Sequence, residues 1–507
     1  MNVINELLER GILVDAELLA ILKQMDSSLI IDILQQIDKR KFISKKNFIE
    51  NLDKIKIALG AIKDKGQGES LNIIGKTLES LSNLEKKEVG DDVGKAKVLK
   101  SWIIPSRKIV VDDFVKYFQS RFIELKTILQ ERSELENLTT LNKISSQKQS
   151  ITIIGMVYSK RVTKNKNVIL ELEDLTGRIS VLVSVGKEEL LKKVKNVVLD
   201  EVIAVKCTGN SEILFANDII FPDAFGNRVR IENEEYAVFI SDIHVGSVKF
   251  LEENFLKFLQ WINGEIGNEQ QKELSKKIKY LFILGDNVDG VGVYPGQEAL
   301  LSINDLKLQY KRLAELLGQI KKDITIFMCP GQHDASRIAE PQPVIDKEYA
   351  SELHELKNLI LVSNPAFVEV GATKTNPGWK VLMYHGASFH SFVDEIEELR
   401  LSKAMRTPTK IVKYCLTKRH LSPQHNESDY LPLRESDPLV IKELPDIIAT
   451  GDGHRSDVSI YNNILLIASS CWQSTTAFEE KIGHEPDPCK VPILNLKTGN
   501  VNILDFS

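Results

Sequence analysis

The chain has 507 residues, 43% of them hydrophobic and 27% charged, with five cysteines and a net charge of -5. Single cores stop growing near ~250–300 residues, so several domains are expected, and no apolar run reaches the ~20 residues that span a bilayer. Scattered cysteines without a C-x-x-C pair speak against a disulfide framework or a zinc finger, the start MNVINELLERG is acidic where a signal peptide is basic, and contact with nucleic acid must rest on a local basic surface.

Residues 1–60 read as a module of short helices, with apolar stripes at Leu18, Leu19 and Leu22 and again from Leu29 to Ile37. Residues 61–111 are richer in Gly, Lys, Glu and Ser, lack sustained periodicity, and read as a flexible linker. From Asp112 the spacing of Phe114, Tyr117, Phe118, Phe122, Leu125 and Leu129 predicts a helix, which leads through residues 112–145 into a barrel. Over 146–228 the period becomes two, and five strand-like runs with one short helix, KEELLKKVK, suit a small closed β-barrel of the OB type. Its loop with Lys160, Arg161, Lys164 and Lys166 lies where such barrels hold single strands; a solvated turn explains those charges equally well.

From Tyr236 strands and helices alternate, including a long helix near 297–321, so residues 229–507 read as a layered α/β domain with a largely parallel central sheet. All nine histidines lie between His244 and His484. Asp242 and His244 follow the apolar run AVFI, and Asp286 follows YLFIL. Gln332, His333 and Asp334 follow ITIFMCPG, His385 follows KVLMY, and Asp452 and His454 follow DIIATG. Each group stands just past a predicted strand, the edge where open α/β sheets gather ligands. Carboxylates and imidazoles together suit two adjacent divalent metals, with Asp286 as the natural bridge. A single D-x-H is more often a capped turn; the five groups in this order carry the reading. His354, His420, His425 and His484 lack that placement and read as surface or core residues.

SDIHVG, GDNVDGVGVYPGQE, PGQHDA, YHGAS and GDGHRSD resemble the five motifs of calcineurin-like metallophosphoesterases, in the variant found in the small subunit of archaeal family D DNA polymerase. The tract around KYCLTKRHLSP, the closing PDPCKVPILNLKTG and the barrel sequence NVILELEDLTGRISVLV resemble that subunit as well, so the likeness covers residues 112–507. It implies a helical module, an OB barrel and a phosphoesterase β-sandwich flanked by helices. Asp242, His244, Asp286 and His454 would hold one metal, and Asp286, Gln332, His385 and Asp452 the other. The ions would be Mn2+, with Mg2+, Fe2+ or Zn2+ as alternatives. His333 would contact the scissile phosphate and assist departure of the 3′-oxygen. The expected activity is 3′-to-5′ DNA exonuclease proofreading in the cytoplasm, at the nucleoid. The expected partners are a large polymerising subunit, DNA with a 3′ end and, through the holoenzyme, the sliding clamp. Lys410, Lys413, Lys418 and Arg419 are further candidates for the DNA path.

Two residues depart from the wider family. Gln332 stands where asparagine is usual, and Asp452 where many members have the first histidine of G-H-x-H. Both departures fall on the second metal, so a catalytically weak scaffold is the first rival reading. An independent metallophosphodiesterase is the second.

Overall fold

The computed structural model describes residues 13–14, 42–43, 95–104, 108–227, 231–373, 376–425, 430–434 and 436–507. The chain divides into two units, 1–88 with 103–108, and 89–102 with 109–507. In the first, β1 (Leu13–Val14) and β2 (Phe42–Ile43) pair in parallel. The helices expected over residues 1–60 otherwise lie outside the described residues, as does most of the segment expected as a linker.

The second unit is a multidomain α/β assembly. Part of the expected linker is a strand in it, β3 (Lys95–Ser101), whose Ala96 and Val98 pack on one side while Leu99 packs on the other. That short alternation was masked by the intervening lysines. The helix Val111–Gln130 follows, burying Phe122, Leu125 and Leu129 against barrel residues Ile154, Met156 and Val202.

Five strands close the barrel: β4 (Gln149–Val162), β5 (Val168–Asp174), β6 (Gly177–Val183), β7 (Val202–Gly209) and β8 (Leu214–Ile220). Their order is β4-β5-β6-β8-β7, with β7 returning to β4. Period-two burial of Val168, Leu170 and Leu172, and of Ile179, Val181 and Val183, fills the interior. The helix Glu188–Lys195 adds Leu190 and Val194 to the same core.

The remaining strands form two six-stranded sheets. The first contains β9 (Tyr236–Ile240), β10 (Ile278–Leu284), β11 (Thr325–Cys329) and β12 (Leu359–Leu361), all parallel. The second takes β13 (Ala366–Ala372), β14 (Trp379–Tyr384), β15 (Ile447–Thr450), β16 (Asp457–Tyr461) and β17 (Ile464–Ala468). β18 (Lys490–Asn495) and β19 (Val501–Asp505) complete the first sheet. The orders are β12-β11-β10-β9-β18-β19 and β16-β17-β15-β14-β13-β3. Both sheets are mixed, which corrects the expectation of one largely parallel sheet. The later strands come as antiparallel pairs, and β16–β17 turns on Asn462 and Asn463, both with positive φ as a tight hairpin requires.

Phe239, Phe282 and Phe327 stack across β9, β10 and β11, with centroids 4.8 and 5.5 Å apart, and face Val368, Val381, Met383 and Ile467 of the other sheet. Helices Glu252–Ile262 and Leu306–Leu317 cover the outer face of the first sheet. Helix Thr409–Lys418 covers that of the second. Strands buried on both faces read as unbroken apolar runs, which is why β9, β10 and β11 were visible in the sequence. The long helix expected near 297–321 is shorter. A 3-10 turn, Gln297–Leu300, precedes it, and Asp305 caps the helix by accepting from the Leu308 N–H. Among the described residues no helix is long and apolar enough to cross a membrane.

Candidate metal centre

Past β9, β10 and β15 the chain turns sharply, and the turns carry polar residues. Asp242, His244, Asp286, Asp452 and His454 all have positive φ, between 48° and 61°. That conformation costs a non-glycine residue roughly 1–3 kcal/mol and collects at functional sites. Backbone bonds hold it: the Asp242 N–H donates to the Gly285 carbonyl (3.0 Å) and the His244 N–H to the Asp286 carbonyl (3.1 Å). The Asp452 N–H donates to Asp242 Oδ2 (3.0 Å).

The result is a set of overlapping clusters. Asp242, His244 and His454 bring their ligand atoms together, with the two histidine Nε2 atoms 3.4 Å apart and His454 Nε2 3.4 Å from Asp242 Oδ1. Asp242, Asp286 and His385 form another; His385 Nε2 lies 3.4 Å from Asp286 Oδ2 and 3.9 Å from Asp452 Oδ1. His244, Asp286 and His333 also converge.

Each imidazole is oriented by its other nitrogen. His385 Nδ1 is 2.7 Å from the Leu284 carbonyl, His333 Nδ1 2.8 Å from the Asp289 carbonyl, and His454 Nδ1 2.8 Å from Glu479 Oε1. Donation from Nδ1 leaves Nε2 free to act as a ligand or, in the doubly protonated ring, as an acid.

The donor set fits cations. Asp242 Oδ1, Gln332 Oε1, His385 Nε2 and Asp452 Oδ2 are buried without a hydrogen-bond partner among the described residues. Such orphans cost ~1–3 kcal/mol each unless something satisfies them. Gly331 keeps the crevice open, since a Cβ there would lie 2.2 Å from Asp286 Oδ1 and 2.7 Å from His385 Nε2. Burial opposes charge on Asp286, yet the imidazoles of His385, His333 and His244 outweigh it and hold the carboxyl far below the usual range. Burial likewise opposes the His385 imidazolium, and the carboxylates of Asp286, Asp242 and Asp452 overcome it, raising its pKa well above normal.

All seven residues read as metal ligands, with His333, therefore sit in one crevice. Asp334 is a pin instead: Oδ2 accepts from the Gly331 N–H (2.9 Å) and Asn287 Nδ2 (2.8 Å), and Oδ1 from the Tyr310 hydroxyl (2.8 Å). Burial, then Asp286, pushes its carboxyl up to about 6. The two departures from the wider family touch, Gln332 Nε2 donating to Asp452 Oδ1 at 2.9 Å.

Three basic candidates need correction. Lys418 is buried, paired with Glu201 and bonded to the Asn196 carbonyl, each at 2.7 Å. Arg419 is buried against the carbonyls of Ile441, Lys442 and Asp223. Lys160 donates to the carbonyls of Lys195 and Val197 at the end of the barrel helix. Arg161, Lys164, Lys166, Lys410 and Lys413 are exposed. His484, set aside from the sequence, lies with His454 and Glu479, its ring centroid 6.1 Å from that of His454.

Sequence reasoning also missed Glu479 and Asp289. Thr476 and Glu479 form a capping box, a T-x-x-E signal readable in TTAFEE, but its proximity to His454 is set by the fold. Asp289 belongs to the quoted GDNVDG, where Oδ1 lies 3.2 Å from His244 Nδ1 and accepts from Gln473 Nε2 at 3.2 Å.

The family of the B subunits of DNA polymerases alpha and epsilon matches residues 237–459. The DNA polymerase II small subunit of Methanothermobacter thermautotrophicus is 39% identical over 398 residues, covering 78% of this chain and 80% of that one. The protein of the same name from Pyrococcus furiosus is 39% identical over 407 residues, covering 79% of this chain and 64% of its own length. That from Archaeoglobus fulgidus is 36% identical over 385 residues, covering 76% and 75%. At this identity, over most of both chains, the protein belongs to the archaeal family D group of DNA polymerase II small subunits.

Proposed function

We propose that this subunit is a two-metal 3′-to-5′ DNA exonuclease that proofreads for, and docks onto, a separate polymerising large subunit. The observation that carries it is the set of buried, unpartnered oxygen and nitrogen atoms gathered around Asp286. On this reading the barrel is of the OB type and the paired sheets are a metallophosphoesterase domain. Asp242, His244, Asp286 and His454 would hold one divalent ion, and Asp286, Gln332, His385 and Asp452 the other. When bound, such a pair polarises the phosphoryl oxygens and lowers the pKa of an attacking water.

The chain's own residues do the rest. His333, anchored through Nδ1 to the Asp289 carbonyl, directs Nε2 to the scissile phosphate and donates a proton to the departing 3′-oxygen. Asp334 and Tyr310 fix the loop that carries it. Asp289 and Glu479 orient His244 and His454. Exposed Arg161 at the end of β4, and Lys164 and Lys166 on the turn that follows, suit a single strand's phosphates.

The rival scaffold reading draws on the Gln332–Asp452 hydrogen bond, which occupies one oxygen of a second-site ligand. Manganese-dependent nucleotide release from a 3′-mismatched primer, with the large subunit present, tests the choice. Activity in the wild type and its loss by roughly 10²–10⁴-fold in His333→Ala are expected. Equal inactivity of both would replace the nuclease with the scaffold.

A further inference from the structure

Arg337 lies four residues beyond His333 in the loop after β11, half-buried, and among the described residues its guanidinium has no hydrogen-bond or ion-pair partner. Burial alone acts on it, lowering its pKa, with no carboxylate in compensation. Other arginines withdrawn from solvent have partners: Arg121 pairs with Asp437, Arg419 with three carbonyls, and Arg132 with Glu134. A guanidinium partly drawn from water and without an anion offers its N–H groups to a ligand that brings one.

Its position is fixed. Nε2 of buried Gln342 donates both to the Gly331 carbonyl (3.0 Å) and to the Arg337 carbonyl (2.9 Å), so the two ends of the His333 loop are a single amide group apart. Gly331 packs directly on Asp286 and His385. The same amide's Oε1 accepts from Asn364 Nδ2 (2.8 Å), whose Oδ1 accepts from the His385 N–H (2.8 Å). The backbone that bears Arg337 is thereby tied to the crevice through a buried chain of bonds.

We infer that Arg337 is a substrate-binding residue that grips the backbone phosphate next to the scissile one, on the 5′ side of the strand being cut. A planar guanidinium matches two phosphate oxygens at once. The inference rests on the exonuclease reading and deepens it: a group reserved for a second phosphodiester selects a polynucleotide over a mononucleotide or a cyclic diester.

The test uses the full chain with Arg337→Ala and Arg337→Lys. Affinity for a fluorescent single-stranded oligonucleotide is read by anisotropy in EDTA across a salt series. Nucleotide release in manganese is then measured from a strand carrying either phosphate or an uncharged methylphosphonate at the linkage 5′ to the scissile one. Arg337→Ala should weaken binding about tenfold and make log K against log salt shallower by about 0.7, the share of one single-strand phosphate contact. The methylphosphonate should slow the wild type about tenfold and leave Arg337→Ala at its own rate, with Arg337→Lys between. Equal salt slopes, or equal sensitivity of wild type and Arg337→Ala to the methylphosphonate, would overturn the inference. A wild type that binds through Arg337 yet releases no nucleotide would sink the nuclease reading while keeping the phosphate contact.

Discussion

The carboxylate of Glu479 accepts from Nδ1 of His454 at 2.8 Å, while its other oxygen accepts from the Thr476 N–H and hydroxyl, each at 2.8 Å. One side chain thus caps a helix and aims an imidazole. Burial opposes its charge, but His454, then Thr476, hold its carboxyl down to about 2, so it stays ionised. Glu479→Gln keeps the size and loses the charge. Manganese affinity, measured by calorimetry, should fall by roughly 10–100-fold, as for other outer carboxylates behind metal-bound histidines. Unchanged affinity would mean that His454 needs no such support.

Gln332 and Asp452 are expected to be energetically coupled, because the amide of one donates to the carboxylate of the other. Gln332→Asn shortens the reach and breaks that bond; Asp452→His removes its acceptor. The double variant restores the usual family pair, so its loss of second-metal affinity should be smaller than the sum of the single losses, by roughly 0.5–3 kcal/mol in a double-mutant cycle. Strict additivity would show the two departures to be independent.

Lys418 joins the barrel to the layered domain through Glu201, and both side chains are 1% exposed. Lys418→Met leaves the Glu201 carboxylate without its buried counter-charge and should cost about 3–5 kcal/mol in urea unfolding. Adding Glu201→Gln should recover most of it. A single variant within about 0.5 kcal/mol of wild type would contradict the burial described for this pair.

The pH dependence has an identifiable source away from the candidate metal centre. His420 donates from Nε2 to Asp437 Oδ2 (2.8 Å), and its Nδ1 accepts from the Ser422 N–H (3.0 Å), so only the neutral ring satisfies both. Burial, then the charge of Arg121, pushes the imidazole down to about 4 against the pull of Asp437. The unfolded chain therefore binds this proton more readily, and stability is lost as pH falls from about 6.5 towards 4. Between pH 7 and pH 5 the loss is about 2 kcal/mol. His420→Gln should lack this component, read as the difference between the two urea-midpoint profiles. Parallel profiles would rule it out.

What the sequence made legible follows from burial. β9, β10, β11, β14 and β15 are largely apolar on both faces and end within two residues of an Asp, His or Gly, so both the strands and the candidate site at their ends could be read. β3, β16 and β19 lie at sheet edges with mixed polarity and were not singled out. Lys418 looked like part of a basic stripe, yet it falls three residues after buried Cys415 and seven after buried Ile411, on the helix face turned inward. Arg419 ends that helix with positive φ, which carries its side chain into carbonyls rather than solvent. Asp289 and Glu479 escaped because their roles depend on which turns meet in space.

The strand β3 has a consequence for how the molecule is divided. It precedes the barrel in the chain but hydrogen-bonds along β13, far beyond the barrel, as the outermost member of the second sheet. A chain cut to begin at the barrel would strip that clasp away and leave the backbone of Ala366–Ala372 bare, a ready template for sticking to other chains. The barrel is thus an insertion within the layered domain's own sequence, and a soluble fragment has to start before Lys95.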